Sequence, residues 1–282
     1  MLGSFPGREP PRTRESLVSP IFLLTDFGTG SLYVGQLHAR LALAKPPVPW
    51  VDLCHDLPPC APRAAAYLLA ALTSYLPETG ILVGVVDPGV GTDRTPILVQ
   101  HRGWSLVGPD NGLFSRVTRG EPTRVYELSP LSNHTLSASF HGRDLFLPWA
   151  IRLAQTALDP RQEEGLRPHL GPLIGSDWPA DNPEIILIDR FGNATTGYRG
   201  RGTQPGWRLC CKGQELPFAT VFGSAPVGQA FWYINSIGLV EIACNQDSAA
   251  RLLDLRVGQP FDWKIPDERS VPGTHHPTDG TA

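Results

Sequence analysis

Most of the side chains in this sequence that could do chemistry fall in six short clusters beside glycines. In Thr25-Asp26-Phe27-Gly28, a carboxylate after an apolar run can accept both hydroxyls of a ribose. It can equally cap the helical segment that begins near Ser31. In Val86-Asp87-Pro88-Gly89-Val90-Gly91-Thr92-Asp93-Arg94 the glycines permit tight turns close to a ligand. Asp87 and Arg94 can pair across that loop, although a surface pair of this kind is common and weak. Gly108-Pro109-Asp110-Asn111-Gly112-Leu113 is strong turn chemistry that would also start a helix. Phe140-His141-Gly142-Arg143-Asp144 sets a histidine, the side chain that titrates nearest neutrality, between a ring, a glycine and two opposite charges. In Asp189-Arg190-Phe191-Gly192-Asn193 the ring can stack on a planar base while Asn193 bonds its edge; a turn leaving a strand is the plainer reading. The sixth cluster, Asn235 to Ala243, is a polar turn entering an apolar strand and would pass alone for a hairpin end.

The elements that must carry these clusters alternate between strand and helix patterns. Ile21 to Leu24, Val48 to Leu53 and Ile81 to Val86 read as strands, the last apolar throughout and so buried on both faces. Ile97 to Val99 and Trp104 to Val107 suggest two more. Residues 32–44 carry apolar groups at helical spacing, Pro62 opens an Ala/Leu-rich helix reaching Leu76, and 143–157 reads as a closing helix that needs Pro148 in its first turns. This alternation predicts an α/β fold: a mainly parallel sheet with helices on both faces and ligands at the carboxyl ends of the strands. Asp26, Asp52 and Asp87 fall at three such ends. Residues 20–158 form the expected α/β domain, 159–184 a Pro/Gly-rich linker, and 185–266 a smaller β-rich, barrel-like domain of short strands and Gly/Pro turns. Residues 1–19 and 267–282 lack periodic apolar patterning and read as disordered tails.

Composition narrows the function classes. Hydrophobic residues make up 41% and charged residues 18% of 282, with a net charge of −3, so no basic face invites nucleic acid. No apolar stretch is long enough to span a bilayer, and the start of the chain has no apolar h-region. The cysteines, Cys54, Cys60, Cys210, Cys211 and Cys244, are odd in number and lack CxxC spacing, which fits reduced thiols in a cytoplasmic protein. GxxxxGK[ST], HExxH, GxSxG and a GxGxxG after a strand are absent, which weakens the kinase, zinc-protease, esterase and dinucleotide readings.

The order TDFG, VDPGVGTDR, GPDNG, FHGRD, DRFGN, SIGLVEIA resembles the S-adenosyl-L-methionine hydrolase family, relatives of the fluorinases and chlorinases, from about residue 20 to 263. The resemblance implies an N-terminal α/β domain, a C-terminal β-rich domain, and a homotrimer with the ligand between the N-terminal domain of one subunit and the C-terminal domain of the next. It implies that Asp87, Arg94 and His141 hold and activate water, that Asp26 binds the ribose, and that Asp189, Phe191, Asn193 and Ser236 contact adenine and methionine. S-adenosyl-L-methionine would be substrate, with no further cofactor and no metal. In the halogenases the DPG aspartate is replaced by tyrosine and a loop is inserted soon after; here Asp87 stands and Arg94 leads straight into the next strand, favouring water over halide. A halogenase, and a non-catalytic sensor of adenosine or S-adenosylmethionine, are the alternatives. Relatives carry Thr-Asn where this chain has Thr196-Gly197, a departure in the C-terminal half of the site. Cys54-His55-Asp56 hints at a metal, but the family carries His-Asp there, and it reads as sheet-end structure. His275-His276 in the tail do not make a site.

Overall fold

The computed structural model describes residues 19–131, 136–156 and 160–266. Nearly all of both expected tails, with His275 and His276, lies outside the described residues. The first half runs β1 (Ile21–Thr25), α1 (Leu32–Ala42), β2 (Trp50–Cys54), α2 (Pro62–Leu72), β3 (Gly80–Val85), β4 (Pro96–His101), β5 (Trp104–Pro109), β6 (Arg124–Leu128), α3 (Leu147–Gln155) and β7 (Leu166–Pro168). Its seven strands make one sheet in the order β2-β1-β3-β5-β4-β6-β7. β2, β1, β3 and β5 pair in parallel, whereas β4, β6 and β7 join by antiparallel pairs.

Strand alternation divides the core between two helical layers. Ile21 and Leu23 of β1 pack with Leu37 and Leu41 of α1 and with Leu147 and Trp149 of α3. Phe22 and Leu24 point the other way, into Ala65, Leu68 and Leu69 of α2. Ser31 caps α1 by accepting from the Val34 amide at 3.3 Å, and Pro62 opens α2 where its missing N–H costs nothing. The helix expected over 143–157 begins as a π-turn, Gly142–Phe146, and becomes α-helical at Leu147, which leaves Pro148 in the first α-turn.

Residues 160–181 contribute the edge strand β7 and then pack against the first half. Tyr67 donates to the Pro179 carbonyl at 2.7 Å, and Arg116 donates to that of Trp178 at 2.7 Å. The second half runs β8 (Asn182–Ile188), β9 (Ala194–Arg199), β10 (Arg208–Cys211), β11 (Gln214–Leu216), β12 (Ala230–Ile234), β13 (Leu239–Cys244), α4 (Ala249–Leu252) and β14 (Asp262–Lys264). These strands form two antiparallel sheets, β12-β13-β9-β8 and β11-β10-β14, around Trp232, Ile242, Leu209 and Phe261. Ile186 of β8 and Leu239 at the start of β13 join the α2 core, so the second half docks on the outer side of that helix. Among the described residues no helix is long and apolar enough to cross a membrane.

Candidate active site

The carboxyl ends of β1 and β3 lie side by side, with Thr25 in register with Val85. The chain leaves both strands there, and each exit carries a carboxylate. The Asp26 amide donates to the Val85 carbonyl at 3.4 Å, and its Oδ2 accepts from the Cys60 amide at 2.9 Å. Burial raises the Asp26 pKa above the ordinary aspartate value; the Cys60 bond opposes this and the nearby Asp87 charge adds to it.

Asp87 begins the glycine-rich loop. Arg94, at its far end, folds back and donates Nε to both Asp87 oxygens at 3.1 and 2.9 Å, and Nη2 to Oδ2 at 2.6 Å. The same Nη2 lies 2.8 Å from Nδ1 of His141. A guanidinium only donates, so Nδ1 accepts and the ring proton sits on Nε2. The Asp87 and Arg94 side chains are 4% and 10% exposed, so this pair is not the weak surface type. Arg94 also stacks over the Phe146 ring, 5.3 Å from its centroid. Burial, and then the Arg94 charge, lower the His141 pKa, which keeps the imidazole neutral at pH 7.

Glycine explains how loop and histidine meet. At Gly91 (φ +79°) a Cβ would lie 2.5 Å from the Ala138 carbonyl, so only glycine lets the loop reach the segment leading to His141. Asn111 fixes the other side: its Nδ2 donates to the Val86 carbonyl at 2.7 Å, one residue before Asp87. Asp110 of the same cluster accepts from the Ile174 amide at 3.0 Å. Arg143 and Asp144 make their hydrogen bonds to groups other than the Asp87–Arg94 pair. They bond to each other at 2.6 and 2.7 Å and to Gln36 and the Ser137 amide, tying the π-turn to α1.

The remaining expected site residues lie elsewhere, around a hollow in the second half. Asp189, Phe191, Asn193 and Ser236 border an open hollow of about 1000 Å³ in the second half. Asp189 Oδ1 accepts from the Phe191 and Asn193 amides at 2.8 and 2.9 Å, and Oδ2 accepts from Asn193 Nδ2 at 2.9 Å. That closed turn leaves the Phe191 ring 63% exposed at the rim. Asn235 Oδ1 accepts from the Ile237 and Leu239 amides at 3.1 and 3.0 Å, shaping the turn that presents Ser236. The residues thus form two groups: Asp26, Asp87, Arg94 and His141 at the sheet's carboxyl edge, and Asp189, Phe191, Asn193 and Ser236 around the hollow. A second hollow, of about 620 Å³, lies by His101 and Trp104 at the sheet's opposite end, away from where α/β sheets bind ligands.

Sequence reasoning missed Glu241 as a wall of the C-terminal hollow. This carboxylate, 7% exposed, accepts from Tyr233, from Thr195 Oγ1 at 2.5 Å and from Asn235 Nδ2 at 2.8 Å, all neutral donors. Its signal was a lone acid within the apolar strand Leu239–Cys244. Gly197, the departure from the resemblance, lies away from the hollow: its Cα faces Asn182 across the β8–β9 pair, where a Cβ would come within 2.7 Å. Asp56 is a sheet-end group, accepting from the Thr29 amide and hydroxyl at 2.7 and 2.6 Å.

Known proteins of the same build carry this sequence pattern. The sequence model of the SAM hydroxide adenosyltransferase N-terminal domain matches residues 21–162, and that of its C-terminal domain matches 183–262. A protein of Thermus thermophilus named (R)-S-adenosyl-L-methionine hydrolase is 38% identical over 258 residues, covering 86% of this chain and 98% of the relative. One of the same name from Salinispora arenicola is 35% identical over 250 residues, covering 84% and 95%. The crystal structure of an uncharacterized conserved protein from Thermotoga maritima superposes with a TM-score of 0.75 at 26% identity, covering 86% of this chain and 99% of that one. With both domain models matched in order and relatives aligned nearly end to end, this chain belongs to the SAM hydroxide adenosyltransferase family.

Proposed function

We propose that this protein is an enzyme that hydrolyses S-adenosyl-L-methionine at ribose C5′, giving adenosine and L-methionine. The observation that carries the reading is the hydrogen-bonded chain Asp87–Arg94–His141 at the sheet's carboxyl edge. The relatives' names specify the R sulfonium epimer, and we take that epimer as the substrate here.

The sulfonium leaves as a neutral thioether, so the difficulty lies in the nucleophile: bulk water has a pKa of about 15.7. In the proposed step a water oxygen forms a bond to C5′ as the C5′–S bond breaks in line, and the electron pair stays on sulfur. The water proton passes to Asp87. His141 cannot take it in this arrangement, because its Nδ1 lone pair is held by Arg94 and Nε2 carries the ring proton. His141 instead offers Nε2–H to orient the water, and Arg94 stabilises developing hydroxide character. The charges of hydroxide and sulfonium cancel as they react, so a site that strips their hydration speeds the step. A carboxylate beside the nucleophile repels halide, which favours water over the halogenase reading. The intact chain of three groups likewise favours turnover over a sensor.

Asp26 is assigned to the ribose hydroxyls, and Asp189, Phe191, Asn193 and Ser236 to adenine and methionine. Because the second group lines a hollow that the first does not border, we propose a homotrimer in which a neighbouring subunit's hollow closes over Asp26 and Asp87. No cofactor is required. Five cysteines without a pairing framework suit a reducing compartment, the cytoplasm. The test is turnover in ¹⁸O-labelled water with and without chloride, followed by mass spectrometry. Labelled adenosine supports the reading, 5′-chloro nucleoside replaces it with halogenation, and bound but intact substrate replaces it with a sensor.

A further inference from the structure

A third cluster of chemistry-bearing side chains lies outside both groups assigned above. His38 on α1, Asp52 on β2 and His55 just after β2 place Nε2, a carboxylate oxygen and Nε2 within 4.8 Å of one another. His38 Nε2 is 2.9 Å from Asp52 Oδ1, and His55 Nε2 is 3.1 Å from the same oxygen. They open onto a hollow of about 540 Å³.

His55 makes this more than a surface network. It is 4% exposed, and its Nδ1 is fixed by Thr25 Oγ1 at 2.8 Å. Its Nε2 is buried and has no partner in hydrogen-bond geometry: Asp52 Oδ1 is near, but off the axis along which the ring nitrogen bonds. A buried imidazole nitrogen without a bond loses its hydration uncompensated. A cation bound at about 2.0–2.1 Å would give that nitrogen the partner it lacks. Fixing one ring nitrogen by an oxygen partner while the other faces a ligand is also how metal-bound histidines are oriented.

We propose that His38, Asp52 and His55 form a binding site for a divalent transition-metal ion of zinc type, with water completing the coordination. Two imidazoles and one carboxylate suit such an ion better than calcium or magnesium, which prefer all-oxygen shells. The ion would pin α1 to the edge strand β2. Through His55 and Thr25 it would brace the end of β1, one residue before Asp26. It takes no part in the displacement, so the site stands whether or not the hydrolytic reading holds.

The test measures zinc retained by the full chain after equilibrium dialysis, together with the visible spectrum of the cobalt(II)-loaded protein. Both are done in a His275→Ala/His276→Ala background, which removes the tail histidines as competing ligands. We expect about one zinc per chain, a cobalt absorption band of a nitrogen- and oxygen-ligated site, and a thermal midpoint about 5–10 °C higher at a hundredfold excess of zinc over Kd. His38→Ala, at a part-exposed position of α1, should lower zinc retention at least tenfold with unchanged circular dichroism; Asp52→Asn is the second variant should the first fail to fold. No retained zinc, or equal retention in the background protein and the variants, overturns the proposal.

Discussion

Replacing Asp87 by asparagine keeps the shape of the side chain and removes its charge, and with it the proposed proton acceptor. Arg94 makes three hydrogen bonds to the two Asp87 oxygens. A carboxamide retains one oxygen and turns an NH₂ toward the guanidinium, so at least one of those bonds becomes a donor–donor contact. The Arg94 side chain is only 10% exposed, so water does not replace what is lost. Stripping one partner from a buried ion pair costs about 3–5 kcal/mol, and the surviving oxygen brings this to about 3 kcal/mol. At about 2–4 °C per kcal/mol for a chain of this size, the thermal midpoint falls by roughly 6–12 °C. Loss of a positioned base lowers kcat by about 10²–10⁴. Adenosine affinity should change little, because Asp26 and the C-terminal hollow are untouched. The assay pairs adenosine formation by chromatography with thermal unfolding and adenosine titration. A folded Asp87→Asn enzyme retaining more than a tenth of the wild-type kcat refutes the assignment of Asp87 as acceptor.

Glu241→Gln should raise KM for S-adenosyl-L-methionine about 10–30-fold, because a carboxylate facing the sulfonium across the hollow would contribute about 2 kcal/mol if the two charges stood about 8 Å apart at an effective dielectric of about 20; adenosine binding should stay within about twofold, and equal losses for both ligands would reduce Glu241 to scaffolding. Gly108→Ala drives a Cβ into the Gly84 carbonyl and the Phe114 ring, an overpacking cost of about 3 kcal/mol that thermal unfolding reads directly. Burial, and then Arg102, lower the pKa of His101, outweighing the opposing pull of Glu121. As pH falls through about 6.5 the unfolded chain takes up a proton that the native state still refuses, so this stability is complete above about 6.5 and lost below it. The thermal midpoint should therefore climb between pH 5 and 7 less steeply in His101→Gln; His141, shifted the same way, keeps part of the slope, and an unaltered slope would contradict the shift.

The groups at the strand ends were legible because type and punctuation agree there: an acid after an apolar run, a glycine beside it, and an arginine or histidine nearby. Their partners were not. Asn111 reads as turn chemistry, and only the tertiary fold brings its amide to the Val86 carbonyl. The parallel sheet was foreseen, but its reversal at β4 was not. Its cause is local: Arg102 and Gly103, both at positive φ, make a two-residue turn that pairs β4 with β5 as a hairpin. Glu241 escaped notice because strand patterning treats an acid among apolar residues as an outward-facing position, whereas here three neutral donors satisfy it inside. The stretch 159–184 is rich in Pro and Gly, which suggests a linker. The Trp178 side chain instead packs against Gly112 and Gly175, where any Cβ would collide with its ring.

The separation of Asp87 and Arg94 from the hollow around Asn193 bears on assembly. If each site takes Asp87 from one subunit of the proposed trimer and Asn193 from the next, two inactive variants can rescue each other. Asp87→Asn damages only the N-terminal contribution. A Phe191→Ala/Asn193→Ala chain damages only the C-terminal one, removing an exposed ring and a buried carboxamide from a turn whose backbone bonds to Asp189 remain. Unfolded together in equal amounts and refolded, the chains assort at random. A site is then intact when its N-terminal half comes from the second variant and its C-terminal half from the first, which happens in about a quarter of interfaces of a ring. Activity of the mixture should approach about a quarter of wild type, while each variant refolded alone stays near background. A site built within a single chain gives no rescue at any mixing ratio, because every chain carries one damaged half. Activity that stays at background in the mixture, with trimers recovered by size, would therefore place both groups in one subunit and require the hollow to swing toward Asp87 within the chain.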